Sequence, residues 1–387
     1  MARIVIAPDS FKECASASEV ANAIAEGLRR VLPDAELVMA PMADGGEGTV
    51  DALVAATQGS YVTVKVTGPL GEPVNAAYGL LGDGRTAVIE MAAASGLALV
   101  PAERRDPRIA TTQGTGELIR DALERGRRRI ILGIGGSATN DAGAGMAQAL
   151  GFRLMDGAGG ELPPGGAALA RIARIDASAK HPAIDDAEVL VACDVDNVLC
   201  GPAGASRVFG PQKGFGPQKG ASEAVAAELD AALARWGELV EDQLGVAVRE
   251  LPGGGAAGGL GAGLVAFMGA RLAPGVDLVA EACGLSERMK GADLVITGEG
   301  RLDAQTAGGK TPLGVARIAK QHGLPVVALA GALGEGHRRL YDLGIDAMLS
   351  ICPGPMPLSE AMARAPGLLA DTAESVGRLW RCARGPA

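Results

Sequence analysis

The chain has 387 residues, 48% hydrophobic and 21% charged, which is enough material for about two domains with packed cores. A net charge of −9 argues against nucleic acid and anionic membranes as partners, and 3% aromatic residues leave little for base stacking. Six scattered cysteines without a C-x-x-C pair, no signal-peptide pattern and no apolar stretch near the ~20 residues of a spanning helix give the expectation of a reduced, cytoplasmic protein.

Taken in chain order, Arg3–Ala7 reads as a buried strand, and Ser16-Ala17-Ser18-Glu19 as a capping box that opens a helix with Val20, Ile24, Leu28 and Val31 on one face. Glu36–Ala40 is a second strand and Glu47–Thr57 a second helix, a β-α-β-α start that predicts a parallel sheet. The pattern then changes. Val62, Val64 and Val66 alternate with polar residues, turn chemistry follows at Gly68-Pro69, Gly71-Glu72-Pro73 and Gly82-Asp83-Gly84, and Thr86–Met91 is a strand, so an antiparallel element is expected here. A helix over Thr115–Glu124, a strand over Arg129–Ile134, a helix over Asp141–Leu150, a strand over Glu188–Cys193 and a long amphipathic helix over Ser222–Gln243 come next. Pro252–Gly263 is glycine-rich and reads as a tight-packing or ligand loop. From residue 293 the βαβ rhythm returns: strands Asp293–Thr297, Pro325–Ala330 and Asp346–Ile351 alternate with helices at Pro312–His322, near Glu335–Leu343 and at the C-terminus. Parallel-sheet character at both ends, with another pattern between, predicts a discontinuous domain interrupted by an insertion.

Six clusters of small, acidic or hydroxyl residues follow short apolar runs: Pro8–Lys12, Ala43–Gly48, Gly135–Asp141, Asp194–Asn197, Gly298–Asp303 and Gly331–Gly334. Parallel α/β sheets bind ligands beyond the carboxyl ends of their strands, where glycines admit phosphate to the backbone and carboxylates hold Mg²⁺ or take a proton. In the first two clusters, Asp9, Ser10 and Lys12 face Asp44, Gly45 and Gly46 if their strands are neighbours. Lys12 would then draw a carboxylate or phosphate, and Asp44 would bind hydroxyls. The bland alternative is a pair of helix-capping loops. Gly135, Gly136, Ser137, Thr139 and Asn140 have the composition of an anion nest, or of a helix entry capped by Thr139 or Asn140. Asp194 and Asp196, two residues apart after a strand, suit Mg²⁺ coordination, a metal ligand plus a general base, or a plain Asx turn.

Ala304–Thr311 imitates a P-loop but lacks its first glycine, and the preceding strand is expected to end too early, at Thr297. Lys310 at a helix N-terminus can still contact phosphate. His181, His322 and His337 show no ligand spacing, and Arg125–Arg129 reads as a solvated helix end. An exact tandem hexapeptide, Phe209–Gly214 repeated as Phe215–Gly220, is a local duplication.

In order along nearly the whole chain, Ala7–Lys12, Met42–Thr49, Gly135–Asp141, Cys193–Asn197, the Phe-Gly-Pro-Gln-Lys-Gly segment and Thr297–Asp303 resemble the type I glycerate kinases, the bacterial glycerate 2-kinase family. The resemblance implies ATP-dependent phosphorylation of D-glycerate, with 2-phosphoglycerate the favoured product. It also implies two α/β domains: a flavodoxin-like parallel-sheet domain from residues 1–65 and 292–387, and an inserted mixed-sheet domain at 66–291. On this reading D-glycerate lies at Asp9, Ser10, Lys12, Asp44, Gly45 and Gly46, with Lys12 on its carboxylate. Asp194 accepts the hydroxyl proton, Asp196 holds Mg²⁺, Arg301 and Lys310 offset charge on the transferred group, and Gly135, Gly136, Ser137, Thr139 and Asn140 cradle the ATP phosphates. Closure of one domain over the other would exclude water. The family carries one hexapeptide where this chain has two, so Lys213 and Lys219 compete for one position. A homodimer is left open. The alternative readings are a kinase for another small hydroxy acid or sugar and a non-catalytic metabolite-binding protein.

Overall fold

The computed structural model describes residues 2–211 and 219–384. Its strands are β1 (Arg3–Ile6), β2 (Glu36–Met39), β3 (Ser60–Thr67), β4 (Pro73–Leu80), β5 (Thr86–Glu90), β6 (Arg129–Gly133), β7 (Arg153–Asp156), β8 (Ile172–Asp176), β9 (Glu188–Ala192), β10 (Arg271–Ala273), β11 (Leu294–Leu302), β12 (Val326–Leu333) and β13 (Ala347–Ser350). The chain divides into two compact units. The first comprises the chain up to Asp44, Asp51–Gln58 and the part from Val276 onward; the second comprises Gly45–Val50 and Gly59–Gly275.

The first unit carries an all-parallel sheet in the order β13-β12-β11-β1-β2. Numbered within the unit this is 2-1-3-4-5, the flavodoxin-like order, in which the strand sequence reverses between β1 and β11. Ile4 and Ile6 from β1, Val20, Ile24 and Leu28 from the helix Ala17–Arg29, Ile296 from β11 and Leu369 from the helix Ala365–Arg384 form its core. Ser16 caps the first helix: its hydroxyl accepts from the Glu19 amide, and the Glu19 carboxylate accepts from the Ser16 amide, the expected capping box. That helix packs on the C-terminal one so closely that a Cβ at Gly27 would lie 1.9 Å from the Ala370 carbonyl oxygen.

The second unit carries a mixed sheet, β10-β9-β6-β5-β4-β3, parallel from β10 to β5 and antiparallel at β4 and β3. Tyr78, Ile89, Leu118, Ile119, Leu132 and Trp236 are buried in its core, where Phe267 packs on both Phe152 and Trp236. β7 and β8 form a separate antiparallel pair that the periodicity of the sequence does not reveal.

Several expectations need correction. The unit boundaries fall at Gly59 and Val276, not at 66 and 292, because β3 pairs along its whole length with β4 and cannot be divided at residue 65. The helix Leu285–Met289 packs on the helix Thr311–Gln321 of the first unit. β11 runs to Leu302 and β12 to Leu333, with pairing that extends to Leu302 and Leu333, so Gly298–Leu302 and Gly331–Leu333 are strand and not loop. Glycine has poor strand propensity, which disguises both extensions. They also remove one argument against a P-loop, since the strand does end just before Ala304; the missing glycine remains. Pro252–Gly263 is a loop only in part, because Ala256–Met268 is helical apart from left-handed Ala257, Gly258 and Gly259.

Gly27→Ala is expected to lose roughly 1–3 kcal/mol of stability from overpacking alone, measured by urea unfolding. Gly367→Ala, on the same C-terminal helix with nothing within 4 Å of its Cβ position, should not lose stability.

Candidate functional site

β1 and β11 are neighbours at the point where the strand order reverses, and both lead into polar segments at their carboxyl ends. Asp9 follows β1, Asp44 follows β2, and Glu299 stands within β11. Asp9 is 9% exposed and Glu299 is 8% exposed, a costly placement for carboxylates. Asp9 accepts hydrogen bonds from the Ser10 amide at 2.6 Å and from the Thr311 hydroxyl. Glu299 accepts from the Thr306 hydroxyl, and Lys310 approaches it to 3.9 Å. Burial first, then repulsion from Asp44, pushes Asp9 up to about 6, against the hydrogen bonds from Thr311 and Ser10. Burial pushes Glu299 up to about 7; Thr306 and Lys310 oppose it, and Asp9 and Asp44 add to it. These like charges share one corner of the first unit.

Arg301, two residues beyond Glu299 on β11, is exposed and donates to Asp303 at 3.0 Å. Lys12 is exposed, in the turn closed by pairing of Phe11 with Ala15. Lys310 is the N-cap residue of the helix Thr311–Gln321, and the turn before it is a short 3₁₀ segment, Thr306–Gly308. Glu299, Thr306 and Thr311 are not singled out by sequence reasoning. The glycines flanking Glu299 and the Lys310-Thr311 pair are the available signals.

The second unit places two further segments at the carboxyl ends of adjacent strands. β6 leads into Gly135–Asp141 and β9 into Asp194–Asn197. Gly45 and Gly46 are part of this second unit, while Asp9 and Asp44 are part of the first. Gly45 adopts φ +88, a Cβ on it would lie 2.3 Å from the Ala192 Cβ, and one on Gly133 would lie 2.4 Å from the Gly45 carbonyl oxygen. Asp194 is exposed, and one of its oxygens accepts from the Gly275 amide at 2.9 Å; Asp196 is exposed beside it.

Within Gly135–Asp141 the backbone is only partly available to an anion. The Ala138 amide donates to the Ser95 carbonyl and the Thr139 amide to the Ser137 hydroxyl, so neither is available to an anion and the expected nest is confined to Gly135, Gly136 and Ser137. Neither Thr139 nor Asn140 caps a helix. The following helix, Ala144–Ala149, starts at Gly143, and Asn140 donates to the Ser206 hydroxyl. The capping work falls to Asp141. Its buried carboxylate accepts from the amides of Thr112, Gly143 and Gly145 and from the Thr112 hydroxyl, while burial raises its pKa. The glycine-rich segment clamps this turn from the other side: a Cβ at Gly258 (φ +72) would lie 2.0 Å from the Thr139 carbonyl oxygen.

Lys219, from the second hexapeptide copy, is 5% exposed; its ammonium donates to the Thr139 carbonyl and reaches the Ser137 hydroxyl at 3.5 Å. Lys213 lies outside the described residues. Among the described residues no three His, Cys, Asp or Glu side chains form a group that could hold a metal ion, and no helix is long and apolar enough to cross a membrane.

The sequence matches the model of the glycerate kinase family over residues 4–214 and 215–381. This chain belongs to the glycerate kinase family. It is 54% identical to a glycerate kinase of Halalkalibacterium halodurans over 97% of both chains. It is also 54% identical to a glycerate 2-kinase of Escherichia coli over 93% of both. A crystal structure of a protein assigned as glycerate kinase 2 from Salmonella typhimurium LT2 superposes with a TM-score of 0.91 at 50% identity, covering 100% of each chain. The expected family and two-sheet α/β fold therefore hold, and with them an ATP-dependent kinase as the class of enzyme.

The carboxylate corner gives a signed stability prediction. The folded protein holds the Glu299 proton more tightly than the unfolded chain does, so this group makes stability fall as pH rises from 4.5 through about 7. Glu299→Gln should therefore gain on the order of 2 kcal/mol relative to the parent between pH 4.5 and pH 8 in urea unfolding. A gain that shrinks with pH would contradict the burial argument.

Proposed function

We propose that this protein transfers the γ-phosphoryl group of ATP to the 2-hydroxyl of D-glycerate, giving 2-phosphoglycerate and ADP. The observation that carries the acceptor side is the corner at the strand reversal, where buried Asp9 and Glu299 stand with Asp44, Lys310 and two threonine hydroxyls. Carboxylates there receive hydrogen bonds from a hydroxylated acceptor, and Lys12, Arg301 and Lys310 supply the positive charge that an anionic acceptor and a transferred phosphoryl group need. The amides of Gly135, Gly136 and Ser137 take phosphate oxygens of the nucleotide.

Phosphoryl transfer depends on positioning and charge neutralisation more than on covalent chemistry. The hydroxyl oxygen attacks phosphorus, its proton passes to a carboxylate, and the bond to the ADP oxygen breaks. We assign the proton to Asp194, whose carboxylate is held by the Gly275 amide. A second reading is favoured by the raised titration of Asp9 and Glu299, near 6 and 7, which suits a base working near neutrality. Mg²⁺ is commonly bound by one or two carboxylates with phosphate and water oxygens, and the exposed pair Asp194 and Asp196 fits that donor set. Asp196 would hold it, and the ion would neutralise charge on the phosphates. We place the reaction in the cytoplasm, consistent with six unpaired cysteines. A homodimer is part of the reading that the elution volume in gel filtration tests.

The decisive assay measures ADP release from Mg-ATP and D-glycerate, with enolase added in the absence of a mutase. Glycerate-dependent ADP and an enolase-competent product are expected. An enolase-inert product would move the phosphate to the other hydroxyl, and ADP release only with a different hydroxy acid or sugar would replace the acceptor. Asp194→Asn should lower kcat by about 10²-fold or more. If it does not, and Glu299→Gln instead abolishes the acid limb of the pH profile near 7, the base is in the carboxylate corner. Lys12→Ala should chiefly raise KM for glycerate.

A further inference from the structure

The tandem hexapeptide is the one sequence motif that neither the fold nor the carboxylate corner absorbs. The family match breaks between Gly214 and Phe215, so each copy is matched within its own segment and the sequence alone does not rank Lys213 against Lys219. The structure ranks them through the residues at and just beyond the end of the second copy. Gly220 adopts φ +80, and a Cβ there would lie 2.6 Å from the Arg105 carbonyl oxygen. Ala221 pairs with Pro211 and donates its amide to the Gly210 carbonyl. Ser222 caps the helix Glu223–Leu244 by accepting from the Val225 amide. Three consecutive anchors therefore fix the register of the residue just before them, and that residue is Lys219.

Its ammonium is buried against the turn whose amides we assign to phosphate. A lysine is almost never fully buried unless it is paired. Among the described residues Lys219 has no carboxylate within ion-pair distance; its partners are a carbonyl and a hydroxyl. The charged group that faces it is Asp141, whose carboxylate is already occupied by four donors. The glycine-rich segment contributes the Ala257 carbonyl, which accepts from Ser137 and Thr139, and nothing titratable. Arg105, beside Gly220, turns its guanidinium to the Val100 carbonyl. A desolvated cation next to an anion-binding turn, with no anion of its own, is a site prepared for one.

We infer that Lys219, and not Lys213, is the phosphate-binding lysine of the nucleotide site, its ammonium joining the amides of Gly135, Gly136 and Ser137 on one phosphate group of ATP. This rests on the kinase reading for the identity of the ligand. The duplication then adds chain ahead of the working copy and leaves the working lysine in register. Burial holds the Lys219 ammonium down to about 8, so the free enzyme loses this charge as pH rises through that value.

The test compares Lys219→Met, Lys219→Arg and Lys213→Met in the full chain, each checked by circular dichroism and thermal melting. Lys219→Met should raise KM for Mg-ATP by about 10- to 100-fold, the worth of a hydrogen bond to a charged group, with KM for glycerate little changed. Lys219→Arg should recover part of the loss, and Lys213→Met should stay within about twofold of the parent, the scatter expected of a change unrelated to the site. In the parent, kcat/KM for Mg-ATP should fall as pH rises through about 8, and that limb should leave the accessible range in Lys219→Arg, whose guanidinium stays charged. An unchanged KM for Mg-ATP in Lys219→Met, equal damage from Lys213→Met, or a limb near 8 that persists in Lys219→Arg would each overturn the inference. Equilibrium dialysis of Mg-ATP without an acceptor separates the two levels. A parent that binds Mg-ATP but turns over no acceptor fails the kinase reading alone, while equal binding by parent and Lys219→Met fails the lysine assignment alone.

Discussion

Burying a carboxylate is among the more expensive things a fold can do, and the first unit does it twice at one place. Asp9 follows β1 and Glu299 stands within β11, the two strands between which the sheet reverses its order, with Asp44 close enough to repel both. The surrounding structure is organised around that cost. Thr311 and Thr306 point their hydroxyls at the two carboxylates, the turn between β11 and the next helix is wound tightly enough to deliver both threonines, and Lys310 is held at the helix start within reach of Glu299. None of this is needed to close a parallel sheet. A sheet whose only requirement was stability would carry apolar or neutral residues there. Buried carboxylates whose titration is pushed toward neutrality are instead the mark of a candidate functional site.

In the second unit the governing constraint is space rather than charge. The turn after β6 is pressed from two sides by backbone without side chains. Gly45 and Gly133 approach each other, and Gly258 contacts the Thr139 carbonyl at a distance no Cβ would allow. Asp141 then ties the far end of the turn to Thr112 and to the start of the next helix. The result is a turn whose shape is fixed from outside it, which leaves the amides of Gly135, Gly136 and Ser137 pointing where the packing puts them. Rigid preorganisation of donors is what makes an anion site effective, since little reorganisation remains when the ligand arrives.

These two constraints explain what can be read from the sequence. The β-α-β-α start, the capping box at Ser16 and Glu19, the valine alternation of β3 and the return of parallel rhythm after residue 293 all come from periodicity and turn chemistry, which are local. The six clusters are legible as clusters for the same reason. Contact between distant residues is not legible in this way. Asp44, Gly45 and Gly46 read as one segment, and the sequence does not show that the chain passes from one unit to the other between Asp44 and Gly45. Gly298–Leu302 looks like a loop because glycine and charge conceal a strand that pairs with Leu329–Leu333. Glu299 lies inside a recognisable cluster without standing out, because only burial distinguishes it from an ordinary exposed glutamate. Asp141 has the sequence context of a helix start, and only its burial shows that it also ties that helix start to Thr112.

A net charge of −9 makes it a problem for this acidic protein to handle two anionic substrates. Long-range attraction does not help it, and mobile surface lysines would be screened within about a Debye length of ~8 Å at physiological salt. Positive charge has to be placed locally and, where it matters most, out of water. Lys12 and Arg301 are exposed and Lys310 is half-buried; they suit a ligand that enters and leaves. Lys219 is different in kind, since its desolvation has already been met by the fold and its ammonium has no carboxylate within ion-pair distance among the described residues. A buried, uncompensated cation destabilises the empty protein and is relieved when an anion binds, so the energy withheld from folding becomes available to binding. The same logic with opposite sign holds for Asp9 and Glu299, whose mutual repulsion is relieved by a ligand that brings hydrogen-bond donors. On the reading we propose, the buried Lys219 ammonium of the second unit is relieved by a polyphosphate donor and the buried carboxylates of the first by an acceptor that brings hydrogen-bond donors.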